Sequence, residues 1–243
     1  MAESTANNAA SYTTPWDTIS GGMNVMAAGG CTDCSHDAQE EDMSSHVTGI
    51  LKSPLMRDGR PDNAIIQDSF DGCLRWKRLR LWNLYSKEPR LLSWIVLNPA
   101  GTPGNDVPTP LPRKGAGWCM AMLSWRWGFD GFITYNVFPF ADPKPATLAR
   151  FLREHGKEPI ERTHALIARD IAPNDAAMAA WGSAGPPSTA DFVANLLQRI
   201  DDEKGWPLNL WCLKTNRDGN PRHASRISHG TRPEPFRLSM PNR

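Results

Sequence analysis

The sequence predicts an α/β protein of three layers, with helices over both faces of a mostly parallel, four-stranded central sheet. Three observations carry this. Four bounded apolar runs, at 91–97, 132–137, 176–181 and 208–213, have the length of buried strands. Segments of helical period separate them, and strands alternating with helices imply a parallel sheet covered on both faces. Each run stops at turn-forming or polar residues: Asn98-Pro99, Asn136, Trp181-Gly182 and Lys214.

The elements follow in chain order. Residues 1–55 show no sustained period. Within them, 1–54 hold seven acidic residues against Lys52 alone, a net charge of −6, leaving 26 basic and 19 acidic residues, or +7, for the rest. An acidic leader rich in Ser, Ala, Gly and Asn is expected to be disordered. The expected α/β domain spans 64–228. At its start Leu74, Trp76, Leu79, Leu81, Trp82 and Leu84 sit among Arg and Lys, which fits a pair of short strands. Residues 91–97, Leu-Leu-Ser-Trp-Ile-Val-Leu, form the first buried strand, and 102–117 read as a Pro/Gly loop. Residues 118–127 read as a helix with Gly128 as its C-cap. Helices are expected at 147–155, 161–171 and 188–201, the last with Ser188 or Thr189 as N-cap. Residues 229–243 are read as a basic tail.

Composition excludes several classes. The 243 residues are 40% hydrophobic and 22% charged, ordinary values for a globular protein. Ten Trp and 21 Pro point to a loop-rich fold with large packing anchors. No run approaches the roughly 18 apolar residues of a membrane span. Met1-Ala2-Glu3-Ser4-Thr5 lacks the pattern of a secretory signal. Five cysteines without framework spacing favour a reducing compartment, so a cytoplasmic location is expected. Cys31, Cys34 and His36 make at most half of a zinc site, and no metal is expected. Gly101-Thr102-Pro103-Gly104 is not followed by Gly-Lys-Ser/Thr, which argues against an NTPase loop, and no cofactor is expected.

The site is expected where strand ends converge, because parallel α/β sheets bind ligands outside the carboxyl ends of their strands. The most informative run is Leu213 to His223. Asp218-Gly219 forms a turn, since Gly reaches positive φ at no steric cost, and Pro221 stiffens the chain before Arg222 and His223. The basic body is compatible with a phosphate-bearing ligand, and Arg222 suits a bidentate phosphate contact.

An ordered set of motifs supports a resemblance. It comprises Val96-Leu97-Asn98-Pro99-Ala100, Asn105-Asp106-Val107-Pro108-Thr109, Arg126-Trp127-Gly128, Asn136-Val137-Phe138-Pro139-Phe140-Ala141-Asp142-Pro143, Trp181-Gly182 and the run from Thr215 to His223. Over roughly residues 70–228 this resembles the bacterial and phage domain-of-unknown-function family 1643. More distantly, the layout is similar to that of the uracil-DNA glycosylases. That similarity implies a uracil-DNA-glycosylase-like fold in which Asn98 orients water, Asp106 stands in for the activating carboxylate and His223 donates to the leaving base. It also implies that Asn136 contacts the base edge, that Trp118 or Phe138 stacks on the base, and that Thr109, Lys214 and Arg222 line the substrate.

Plainer readings stand beside these. Asn98 before Pro99 also fits a simple turn, Asn136 a structural cap and His223 a surface residue beside a basic tail. The expected function is recognition of a nucleobase, nucleotide or DNA, with hydrolysis of an N-glycosidic bond as its enzymatic form. The alternatives are a non-catalytic binding module or a scaffold. No membrane partner is expected.

Overall fold

The fold was described from a computed structural model, which describes residues 63–99, 104, 109–111, 113–141, 145–228 and 230–238. The leader, the Cys31/Cys34/His36 group and Asp106 lie outside these residues.

Strands β1 (Asn63–Asp71) and β2 (Leu74–Leu81) form an antiparallel hairpin, with a register shift at Ser69/Phe70. Strand β3 (Leu91–Val96) and the two-residue β4 (Thr109–Pro110) precede helix α1 (Gly115–Arg126). Strand β5 (Gly131–Asn136) leads to α2 (Pro145–His155) and α3 (Glu158–Ile171). Then come β6 (Ala176–Ala179), α4 (Thr189–Lys204), β7 (Asn209–Cys212), a 3₁₀ turn (Ala224–Arg226) and β8 (Glu234–Pro235).

These strands make one eight-stranded sheet in the order β4-β1-β2-β5-β3-β6-β7-β8. The four apolar runs supply the parallel strands β5, β3, β6 and β7. The remaining strands pair antiparallel: β2 against β5, β1 against β2 and β4, and β8 against β7. The expected mostly parallel, four-stranded sheet of uracil-DNA-glycosylase type is therefore corrected to a mixed sheet of twice that width, while the α/β class stands. The physical reason is twofold. Two-residue strands carry no periodicity, and the joining of the β1–β2 hairpin to β5 is a long-range pairing that no local pattern encodes. The segment read as a basic tail supplies β8, and its Phe236 is buried edge-on against Trp181, with ring centroids 5.5 Å apart.

Strand alternation divides the core. Leu92, Trp94 and Val96 of β3 pack with α1 and Ala224 on one face. Ile95 and Leu97 pack with α2, α3 and α4 on the other. A strand covered on both faces is apolar at nearly every position, which is why 91–97 reads as a nearly continuous run broken only by Ser93. Helix α1 is fixed where Trp94 donates from Nε1 to Ser124 Oγ at 3.2 Å and stacks on Trp127 at 6.3 Å. Gly128, at φ 81°, ends the helix as expected. Ser188 sits at the N-cap of α4 but makes no side-chain capping bond, and Thr189 Oγ1 instead donates to the Pro186 carbonyl at 2.6 Å. No helix among the described residues is long and apolar enough to cross a membrane.

Candidate functional site

The parallel register sets Val96 beside Asn136, Ile95 beside Ala179, and Ala179 beside Cys212, so these strands end at one edge of the sheet. Backbone bonds carry the ladder further, from Val137 N to Val96 O (2.9 Å), Phe138 N to Leu97 O (2.8 Å) and Ala180 N to Ile95 O (2.8 Å). From β3 the chain passes by α1 to β5 on one side. It then returns past β3 through α2 and α3, on the opposite face, to β6. The winding direction reverses between β3 and β6. At such a reversal the connections diverge and leave a crevice outside the strand ends. Asn98-Pro99 borders it from β3 and Trp181-Gly182-Ser183 from β6.

The run from Lys214 to His223 closes over this edge as a small hairpin. Thr215 bridges Pro221, Asn216 N donates to Asn220 O at 2.8 Å and Arg222 N donates to Lys214 O at 2.7 Å. Asp218 accepts from Asn220 N at 3.1 Å. The hairpin is tied to the end of β6, where Trp181 Nε1 donates to Asn220 Oδ1 (3.3 Å) and Asn216 Nδ2 to Ser183 Oγ (2.8 Å). Hydrogen bonds from Ser183 and Asn220 hold the Asp218 carboxyl below its ordinary pKa. Gly182 makes the closest approach. Its φ is 72°, and a Cβ there would lie 3.2 Å from the Cβ of His223. Only glycine meets both demands. His223 is thereby seated at the β3/β6 crevice.

At His223 the Ser225 backbone N–H donates to Nδ1 at 3.4 Å, capping the 3₁₀ turn, and Ser225 Oγ lies 2.8 Å from the same nitrogen. With Nδ1 accepting, the proton of the neutral ring resides on Nε2. Burial, then the charge of Arg226, lowers the pKa of His223. The ring is thus a neutral hydrogen-bond donor at pH 7. Asn136 ends β5, and Nδ2 donates to the Arg75 carbonyl at 3.0 Å. Its Oδ1 is buried without a hydrogen-bond partner, and the residue is 1% exposed. A buried acceptor left unsatisfied costs about 1–3 kcal/mol and calls for a reason.

The topology gathers Asn98, Asn136 and His223 at one edge. Neighbouring strands lie about 4.8 Å apart, so the β6 and β3 ends are adjacent and the β5 end is one strand further, a span of about 10 Å. Three other expected residues, Phe138, Trp118 and Thr109, sit elsewhere. Phe138 is fully buried on the α2–α4 face, 5.3 Å edge-on from Phe192. Trp118 is buried with the core beneath α1. Thr109 begins β4, paired with Ala64. The exposed Lys214 offers its carbonyl to Arg222, whose Nε donates to Asn216 Oδ1 at 3.4 Å. Gly182, Ser183 and Asn216 build the crevice but did not stand out as site residues. The sequence signal was present in the glycine that directly follows an apolar run.

The fold and this edge define an α/β protein with a ligand crevice at the carboxyl ends of its parallel strands. Residues 75–224, more than half of the chain, match a family described as a protein of unknown function, DUF1643, and the chain belongs to that family. No curated protein and no solved structure matches it.

Proposed function

We propose that this protein recognises a nucleobase, carried as a nucleotide or in DNA, at the crevice between β3 and β6. The observation that carries the reading is the seating of His223 against Gly182 at the point where the winding reverses, with Asn98 on the adjoining strand. A neutral imidazole donor and fixed Asn amides, spread over about 10 Å, suit the alternating donors and acceptors of a base edge. The unpaired Asn136 Oδ1 supports the same reading, as an acceptor awaiting a ligand N–H. The expectation of hydrolysis rested on Asp106 as water activator, so the reading proposed is recognition, with hydrolysis as an outcome to be measured.

The test is calorimetric titration of the full chain with nucleobases, nucleosides and nucleoside monophosphates, each mixture then assayed for released base. Binding of at least one class is expected, weakened at least tenfold by His223→Ala, a loss of about 1.4 kcal/mol or more. No binding across the panel at millimolar concentration, or full affinity in His223→Ala, would sink the reading.

A further inference from the structure

The face of the sheet opposite α1 carries a cleft that the crevice does not use. Helices α3 and α4 pack against each other there, and Ile160, Ile167, Leu196 and Ile200 belong to the core they share. Between them opens a cleft of about 420 Å³. That volume lies within the range of small-molecule sites, roughly 300–1,000 Å³. Its lining falls at helical spacing, with Glu161 and His164 on α3 and Phe192, Asn195, Arg199 and Asp202 on α4.

The floor is buried. His164 and Phe192 are 1% and 3% exposed, and their rings meet edge-on with centroids 6.4 Å apart. The Val137 carbonyl can only accept, so His164 Nε2 carries the proton that meets it at 2.9 Å. The other ring nitrogen, Nδ1, is then an acceptor, and it bonds to no described residue. Burial lowers the pKa of the ring to about 4, so it stays neutral at pH 7 and Nδ1 keeps its lone pair. An acceptor this deep without a donor marks a place for one.

The walls carry opposite charges. Glu161 stands on α3 and Arg199 on α4, and neither has an oppositely charged partner within 4.0 Å among the described residues. The Asp202 carboxylate is engaged, since Oδ1 accepts from Gln198 Nε2 at 2.9 Å. A carboxylate and a guanidinium that share a cleft without pairing leave room for a ligand carrying both charges. Exposed ion pairs contribute little by themselves. The buried acceptor and the aromatic ring beneath them supply the sheltered contacts that fix a ligand in place.

We propose that the α3–α4 cleft binds a small zwitterion of the amino-acid class whose side chain ends in an N–H or O–H donor. Glu161 receives its ammonium group, Arg199 its carboxylate and His164 Nδ1 its side-chain donor, with the carbon chain over Phe192. This site shares no residue with the crevice and does not rest on the base reading.

The experiment titrates the full chain with L-glutamine, L-asparagine and L-serine by calorimetry. At least one is expected to bind at millimolar concentration, and at least tenfold more weakly to Glu161→Gln and to Arg199→Met. Both positions are exposed, so both variants are expected to keep the wild-type melting temperature. The N-acetyl derivative of the bound amino acid, which lacks the ammonium, and its amide, which lacks the carboxylate, are expected to lose binding to a similar degree. Nitrogen NMR reads the floor directly. The His164 Nδ1 resonance is expected to move upfield on binding, as an acceptor nitrogen does when it gains a hydrogen bond. Failure of all three amino acids to bind, an unmoved Nδ1 resonance, or full affinity in either variant overturns the site. An N-acetyl derivative that binds as tightly as its parent overturns the zwitterion class. Amino-acid affinity is expected to be unchanged in His223→Ala, so the two sites stand or fail separately.

Discussion

On the α1 side of the sheet, β3 presents Leu92, Trp94 and Val96, whereas β2, two strands away, presents Arg78 and Arg80. The first group is held by the removal of apolar surface from water, which is non-directional and spread over many contacts. The second depends on Asp68. Burial works to raise the pKa of that carboxyl, but the Arg78 hydrogen bonds, the Gly104 N–H and the charges of Arg78 and Arg75 outweigh it and hold the pKa below its ordinary value. One continuous sheet face therefore contains a region held by many non-directional contacts and a region where two buried cations bond one carboxylate.

The largest effect is expected of Asp68→Ala. Removing it takes from the buried Arg75 and Arg78 the carboxylate that both bond, and the expected loss is about 3–5 kcal/mol in urea unfolding. A loss below about 1 kcal/mol would mean that the arginine face is not held as described.

The parallel half has a titratable weak point of its own. His164 of α3 is 1% exposed and donates from Nε2 to the Val137 carbonyl at 2.9 Å, just beyond β5. Burial lowers its pKa from 6.5 to about 4. A histidine with a depressed folded pKa leaves stability intact above the unfolded value. It removes stability as the unfolded chain takes up the proton first, between pH 6.5 and about 4. The expected loss across that window is about 3 kcal/mol. Stability measured against pH between 6.5 and about 4 should flatten in His164→Gln, and an unchanged slope there would remove His164 as the source of the acid sensitivity.

The smallest expected effect lies at the crevice. Gly182→Ala forces a side chain into a left-handed conformation and against His223, at a cost of about 1–3 kcal/mol. Thermal unfolding measures that cost, and titration of the variant with the ligand panel shows whether His223 moves. A variant as stable as the wild type would remove the close approach from the description of the site.

Much of the fold was legible locally. The run at 91–97 marked β3 because a strand buried on both faces admits few polar residues, and Gly128 marked the end of α1, where φ turns positive. The Asp218-Gly219 turn and the Arg222-His223 presentation were readable from backbone preferences. The arginine face was not. Arg75, Arg78 and Arg80 sit among Trp76 and Leu79 in a pattern that suits a half-exposed strand, and long cationic side chains are normally assigned to solvent. The burial of Arg75 and Arg78 goes with Asp68, seven and ten positions away across the hairpin, and Arg80 meets Gly117 of α1, which arrives from beyond β3.

Local chemistry thus determined the four buried strands, the presence of the helices between them and the residues that stand at those strand ends, because apolar period and turn propensity are written in neighbouring residues. Tertiary structure alone decided the width and mixed sense of the sheet, the capture of residues 234–235 as an edge strand, and the meeting of Gly182 with His223. It also decided that Arg80 faces the start of α1. Hydrogen-bond pairing between strands and the sharing of one carboxylate by several cations are contacts between distant positions, and only the folded chain brings those positions together.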